Sequence, residues 1–172
     1  GQVLADLMTI REYKGSFSGL KMCFIGDGNN MANSLMVGAL KMGMKFSIAC
    51  PEGYRPDAEL TKWAEEFGDK FEITSDVKKA AKDADVLYTD VWASMGQEGE
   101  KALREKSFAG FWIDAEVMEC AKKDAMVLHC LPAHRGEEIS EDVLEAHADD
   151  IFDEAENRLH AQKAVMCKLM RD

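Results

Sequence analysis

The sequence predicts a doubly wound α/β domain, a Rossmann-like parallel sheet of five strands with helices on both faces. Three observations carry this reading. Short apolar runs of strand length recur along the 172 residues, segments of helical period separate them, and no Pro/Gly/Ser-rich linker divides the chain, so residues 1–172 read as one domain. Strands joined through helices of about ten residues imply crossover connections and hence a parallel sheet.

The elements follow in order. GQVLADLMTI opens the chain as an apolar helical stretch. KMCFIGDG, residues 21–28, is a buried strand ending in a glycine turn, and residues 31–42 continue as an almost wholly apolar helix. KFSIACP at 45–51 is the second strand. Residues 57–68 form a helix with Leu60, Trp63, Ala64 and Phe67 on one face, Asp57 as N-cap and Gly68 as stop. Residues 70–75 form a weaker third strand, 76–82 a short helix, and DVLYTDVW (85–92) and AMVLHC (125–130) the fourth and fifth strands. A long helix over 153–170 closes the chain.

For the order 3-2-1-4-5 the winding reverses between strands 1 and 4, and ligands bind in the crevice at the carboxyl ends of those strands. That rule selects three loops before any chemistry is considered: GDGNN (26–30), the stretch 90–97, and HCLPAHRGEE (129–138).

Composition narrows the function. A net charge of −11 argues against nucleic-acid and anionic-membrane partners, because the long-range field repels phosphate. Five cysteines without a CxxC spacing fit reduced thiols, and no apolar run nears the roughly 18 residues of a membrane span. A soluble, cytoplasmic protein is expected. The chain begins at Gly1, which reads as a piece of something longer.

GDGNN turns tightly into a helix and offers two amides, yet Met31 stands where the dinucleotide fingerprint needs a third glycine or alanine. Asn29 or Asn30 serves equally as a helix cap. In DVWASMGQE (90–98), Asp90 near a strand end and Ser94, Met95 and Gly96 in a turn suit a zwitterionic amino acid: a carboxylate for an ammonium, hydroxyl and amide donors for a carboxylate. Ser94 capping the next helix is the competing role.

HCLP admits three readings. Zinc held by His129, Cys130 and His134 lacks a fourth ligand and the usual spacing. A Cys-His nucleophile pair conflicts with strand alternation, which sends neighbours to opposite faces. The third places Cys130 and the Leu131 carbonyl, released from the sheet by Pro132, in the crevice, with His129 pointing away and residues 133–138 forming a mobile loop above it. In FDEAENRLHAQ (152–162), Arg158 falls just after the first turn of the last helix, where it would join the helix dipole in holding an anion; a surface pair with Glu154 is the alternative.

Taken together, GDGNN, DVWASMGQE, HCLPAHRGEE and FDEAENR, in this order and spacing, closely resemble the ornithine-binding half of the ornithine carbamoyltransferases, over essentially the whole chain. The resemblance implies ornithine contacts from Asn30, Asp90, Ser94 and Met95, and places Cys130 and Leu131 where carbamoyl phosphate meets the ornithine side-chain amine. Cys130 and Asp90 are the implied catalytic residues. Arg158 completes the carbamoyl phosphate site, and Gln2 matches the glutamine of an HPxQ motif.

The implied reaction is attack by the uncharged δ-amine of L-ornithine on carbamoyl phosphate, giving L-citrulline and phosphate, with no metal or organic cofactor and a homotrimeric parent enzyme. The family's phosphate-binding STRTR motif belongs to an N-terminal domain with no counterpart here, so this chain alone is expected to be inactive or nearly so. A carbamoyltransferase for a related amine such as putrescine, and a nucleotide- or NAD-binding module, are the alternatives. The second is disfavoured by Met31 and by Ala49-Cys50-Pro51, which provides no acidic residue at the end of strand 2.

Overall fold

Apolar runs rich in Ile, Val, Leu and Phe favour strands buried on both faces, and five such runs pair in parallel in a computed structural model that describes residues 1–171. They are β1 (Lys21–Ile25), β2 (Lys45–Ala49), β3 (Phe71–Thr74), β4 (Val86–Thr89) and β5 (Met126–His129), in the order β3-β2-β1-β4-β5. This is the order the sequence predicts. β1 pairs β2 on one side and β4 on the other, with Ile25 level with both Ala49 and Thr89. The winding reverses at β1/β4, so the loops after β1, β4 and β5 emerge side by side.

Among the described residues eight α-helices cover the sheet: α1 (Gln2–Lys14), α2 (Asn30–Lys41), α3 (Ala58–Glu65), α4 (Val77–Ala81), α5 (Lys101–Ser107), α6 (Ala115–Cys120), α7 (Glu141–Ala146) and α8 (Ala148–Leu169). Strand alternation divides the core. Met22, Phe24, Val86, Tyr88, Met126 and Leu128 pack with α1, α2 and α3 on one face. Cys23, Ile25, Leu87 and Val127 pack with α4, α6 and α7 on the other. Asp57 caps α3 as expected, accepting from Leu60 N at 3.0 Å, but the helix ends at Glu65 and a 3-10 turn at Gly68–Lys70 leads into β3.

The last helix differs most from expectation, because α8 starts at Ala148, directly after α7, with no side-chain cap. Its early acids are already engaged: Asp150 accepts from Val127 N at 3.0 Å and lies 2.8 Å from His147 Nδ1. Arg158 therefore sits in mid-helix. The dipole, which acts within the first turn, does not reach it.

α1 and α8 meet over β4 and β5 around buried acids. Glu154, whose surface pair with Arg158 was the alternative reading, is buried; its Oε2 accepts from the His129 backbone N–H at 2.9 Å. The Tyr88 hydroxyl lies 3.0 Å from Glu154 Oε1 and 3.2 Å from Asp6 Oδ2, and Gln2 Nε2 lies 2.8 Å from Asp6 Oδ1 and 3.3 Å from Glu154 Oε1. One tyrosine hydrogen cannot serve two carboxylates, so the cluster is satisfied when one carboxyl keeps its proton. Burial first, and then the neighbouring Asp6, hold Glu154 well above the usual carboxylate range.

A folded state that keeps a proton the unfolded chain releases above about pH 4.5 is at full advantage below that pH and loses it as pH rises towards the folded-state value. Glu154→Gln supplies the missing hydrogen permanently. Between about pH 6 and pH 9 the parent protein's unfolding free energy should fall by up to about 1.4 kcal/mol per pH unit from this proton, and the variant's curve should be flatter. Denaturant titrations at several pH values check this; parallel curves for the two proteins would show that the pair holds no such proton.

Candidate functional site

At the carboxyl end of β1 the chain must turn sharply into α2. Gly28 is required there, because a Cβ would meet Pro56 N at 2.3 Å, and its N–H donates to Tyr54 O at 2.8 Å. Asn29 is the N-cap, its Oδ1 accepting from Met31 N at 3.0 Å and Ala32 N at 3.2 Å. Asn30, the first residue of α2, is exposed. The capping role thus falls to Asn29, and the exposed Asn30 takes no part in it.

The loop after β4 starts with Asp90, half-buried, whose Oδ1 accepts from Val91 N at 2.7 Å and whose Oδ2 lies 3.4 Å from Asn29 Nδ2. That contact ties the loop after β1 to the loop after β4. Ser94 caps no helix: a 3-10 turn at Glu98–Glu100 takes Gln97 as its N-cap, and the Gln97 side chain returns to accept from Ser94 N at 3.0 Å. Met95 is 98% exposed, an apolar side chain held out into solvent.

After β5, Leu131 adopts a left-handed φ of 58°, rare for a bulky residue, and a cis peptide joins it to Pro132. Its N–H donates to His129 Nδ1 at 2.9 Å, which places the ring proton on Nε2, 2.8 Å from Glu138 Oε1. His129 is buried with its Nε2 on Glu138, but it is not separated from Cys130 as strand alternation predicts: β5 ends at His129, and the two residues line the same cleft with ligand atoms within 4.8 Å of each other. Cys130 packs on the α1/α2 face. The following loop is anchored, contrary to the mobile loop expected, since fully buried Glu138 also accepts from His134 N at 2.7 Å and Gly136 N bonds Ile139 O at 2.9 Å.

Ligand-type atoms of Asp90, His129 and Cys130 lie within 4.8 Å of one another. Both imidazole nitrogens are already engaged, so a metal would have to displace the Leu131 N–H. Burial, and next the Asp90 charge, push the Cys130 thiol far above its ordinary range, which keeps it a neutral hydrogen-bonding group rather than a thiolate nucleophile.

Gln2, Cys130, Leu131 and Arg158 line one cleft of about 540 Å³, together with His129 and Glu154. Ser94 and Met95 line an adjoining, more apolar cavity of about 330 Å³, and Pro132 borders both. Arg158 reaches the cleft from mid-helix, exposed, not from a helix start. Sequence reasoning missed Asp6, Tyr88, Asp27 and Arg104, all buried polar groups on the elements that support these loops. Asp6 carried a signal, an acid inside an otherwise apolar helical stretch.

A parallel sheet with its crevice at the switch point, an amide-rich loop after β1, a carboxylate-hydroxyl loop after β4 and a protonated thiol after β5 define a doubly wound α/β domain of the small-molecule-binding class. The family described as aspartate/ornithine carbamoyltransferase, Asp/Orn binding domain, matches residues 18–169. The chain belongs to this family. It is 56% identical over 170 residues to the ornithine carbamoyltransferase of Methanosarcina mazei, covering 99% of this chain and 56% of that protein. The solved ornithine carbamoyltransferase of Pyrococcus furiosus superposes with a TM-score of 0.87 at 52% identity, over 96% of this chain and 54% of that one. The anabolic enzyme of Campylobacter jejuni gives 0.91 at 46% identity, over 98% and 57%. The chain thus spans about half the length of these relatives.

The thiol makes a direct electrostatic prediction. Asp90→Asn removes a charge that raises the Cys130 pKa, so alkylation of Cys130 near pH 8.5 should speed up, by about three- to fourfold per pKa unit recovered once the weaker nucleophilicity of the less basic thiolate is allowed for. Exposed Cys167 is the internal control in a mass-spectrometric time course. An unchanged Cys130 rate would show that Asp90 does not act on the thiol.

Proposed function

We propose that this chain is the ornithine-binding domain of an ornithine carbamoyltransferase, working with a carbamoyl phosphate-binding domain of the kind its relatives' remaining length would provide. The observation that supports the reading is that Asn30, Asp90, Ser94, Met95, Cys130 and Leu131 all follow strand ends on one side of the sheet, Cys130 and Leu131 lining one cleft and Ser94 and Met95 the cavity that adjoins it at Pro132. Asp90 and the protonated Cys130 receive the ornithine amine. Asn30, Ser94 and the turn around Met95 hold the amino-acid end.

Carbamoyl transfer needs the δ-amine uncharged and in line with the carbamoyl carbon. Asp90 stands where it can take or share the amine proton, and the Cys130 thiol beside it donates to the developing oxyanion. The Leu131 carbonyl, turned out of the sheet, accepts from the amine. Arg158, lining the same cleft, contributes positive charge towards the phosphate. Positioning and electrostatics of this kind need no group outside the protein. Five free cysteines support a cytoplasmic setting, and the net charge of −11 supports partners other than nucleic acid or anionic membranes. Among the described residues, no helix is long and apolar enough to cross a membrane. The homotrimer implied by the resemblance would be a property of the full-length enzyme.

Titration with L-ornithine, putrescine and NAD, followed by amide NMR, tests the reading. Ornithine should shift Asn30, Asp90 and Ser94; putrescine should do so more weakly, and NAD not at all. A response to NAD alone would overturn the proposal. Without the second domain no citrulline should form. On reconstitution with it, Cys130→Ala and Asp90→Ala should each lower turnover by about a hundredfold or more, and unchanged turnover in both would remove their roles.

A further inference from the structure

One buried ion pair lies outside every role described so far. Arg104, on α5, is 7% exposed, and its Nη1 donates both to Asp27 Oδ2 at 2.9 Å and to the Trp92 carbonyl at 2.9 Å. Its Nε lies 3.3 Å from Glu100 Oε2, and its guanidinium stacks over the Tyr54 ring at 5.1 Å. Asp27 is 8% exposed. A single cation therefore touches the loop after β1, the 53–57 segment that approaches Gly28, and the loop after β4.

This connection matters because the loop after β4 has few others. Ser94 bonds locally to Gln97, and the Trp92 carbonyl and indole carry the ties from residues 92–95 to other elements, the indole donating to Phe111 O at 3.1 Å. Trp92 is two residues from both Asp90 and Ser94, and Asp27 is three from Asn30. A buried ion pair gives little net stability over an apolar pair of similar shape, and its best-attested use is to fix register. Arginine suits that use, since one planar fork bonds two acceptors in a set geometry.

We propose that Asp27 and Arg104 are positioning residues that set Asp90–Ser94 against Asn30, and so set the preference for an α-amino acid over a plain diamine. The preference rests on the function proposed above; the positioning does not. Without Arg104, the groups reading the α-amino and α-carboxylate ends lose their spacing, whereas a diamine, which lacks the carboxylate, depends on it less.

The test compares the parent chain with Arg104→Gln, Arg104→Lys and Asp27→Asn/Arg104→Gln, reading ornithine and putrescine affinities, thermal midpoints, and amide hydrogen exchange at Gly28 and Gln97. Arg104→Gln should weaken ornithine about tenfold or more and putrescine less than about threefold, and faster exchange at both amides should accompany this. Arg104→Lys should recover part of the difference, which a merely structural loss would not. Should Arg104→Gln fail to fold, the double variant, which leaves no buried unpaired charge because Glu100 is exposed, decides by the same ratio. Equal weakening of both ligands, or an unchanged ornithine affinity in a folded variant, overturns the proposal. If the parent chain binds no ornithine, the proposed function falls separately, and exchange alone decides the positioning role: unchanged protection at Gly28 and Gln97 refutes it.

Discussion

The pairing of β1 with β4 is the constraint on which the rest depends. Every other parallel pair continues the winding, but this one reverses it and opens a crevice at the carboxyl ends of the two strands. With Ile25 level with Thr89, and Thr89 level with His129, three loops leave the sheet at the same height. Thr89 Oγ1 reinforces the join by donating to Ile25 O at 2.7 Å. GDGNN, DVWASMG and HCLP can therefore act on one small molecule although they lie far apart in the chain.

Polar groups beneath the crevice then do work that an apolar core could not. Glu154 holds the His129 backbone on one face of β5, and Glu138 holds the His129 ring on the other. Between them they fix the strand end from which Cys130 and Leu131 project. On the neighbouring side, Arg104 and Asp27 join the loops after β1 and β4. Each device places a charge or a shared proton in low dielectric, where a missing partner is costly, so each resists rearrangement more than a methyl contact would. A site that works by positioning benefits from that resistance.

The sheet was legible in the sequence because strand length, apolar content and the intervening helices all point to one topology. The site loops were legible because the switch-point rule needs only strand order. Arg158 was misplaced because α8 has no side-chain cap, and Asp153 and Glu154 resemble the first turn of a helix while serving Tyr13 and His129. Glu154 was misread because i,i+4 spacing to an arginine looks the same whether the acid faces solvent or the core. The helices α6 and α7 have six residues each, too short for periodicity to register. Arg104 was invisible for a related reason: its partner Asp27 lies 77 residues away.

The central claim is that one end of the sheet, at the carboxyl termini of β1, β4 and β5, receives ornithine. Intermolecular NOEs from isotope-labelled ornithine to the protein's side chains locate the ligand directly. The account predicts contacts to the Met95 methyl and the Leu131 methyls. The opposite end of the sheet carries a lysine-rich cavity of about 580 Å³ that includes Lys45, Lys70 and Lys82, and contacts there would contradict the account.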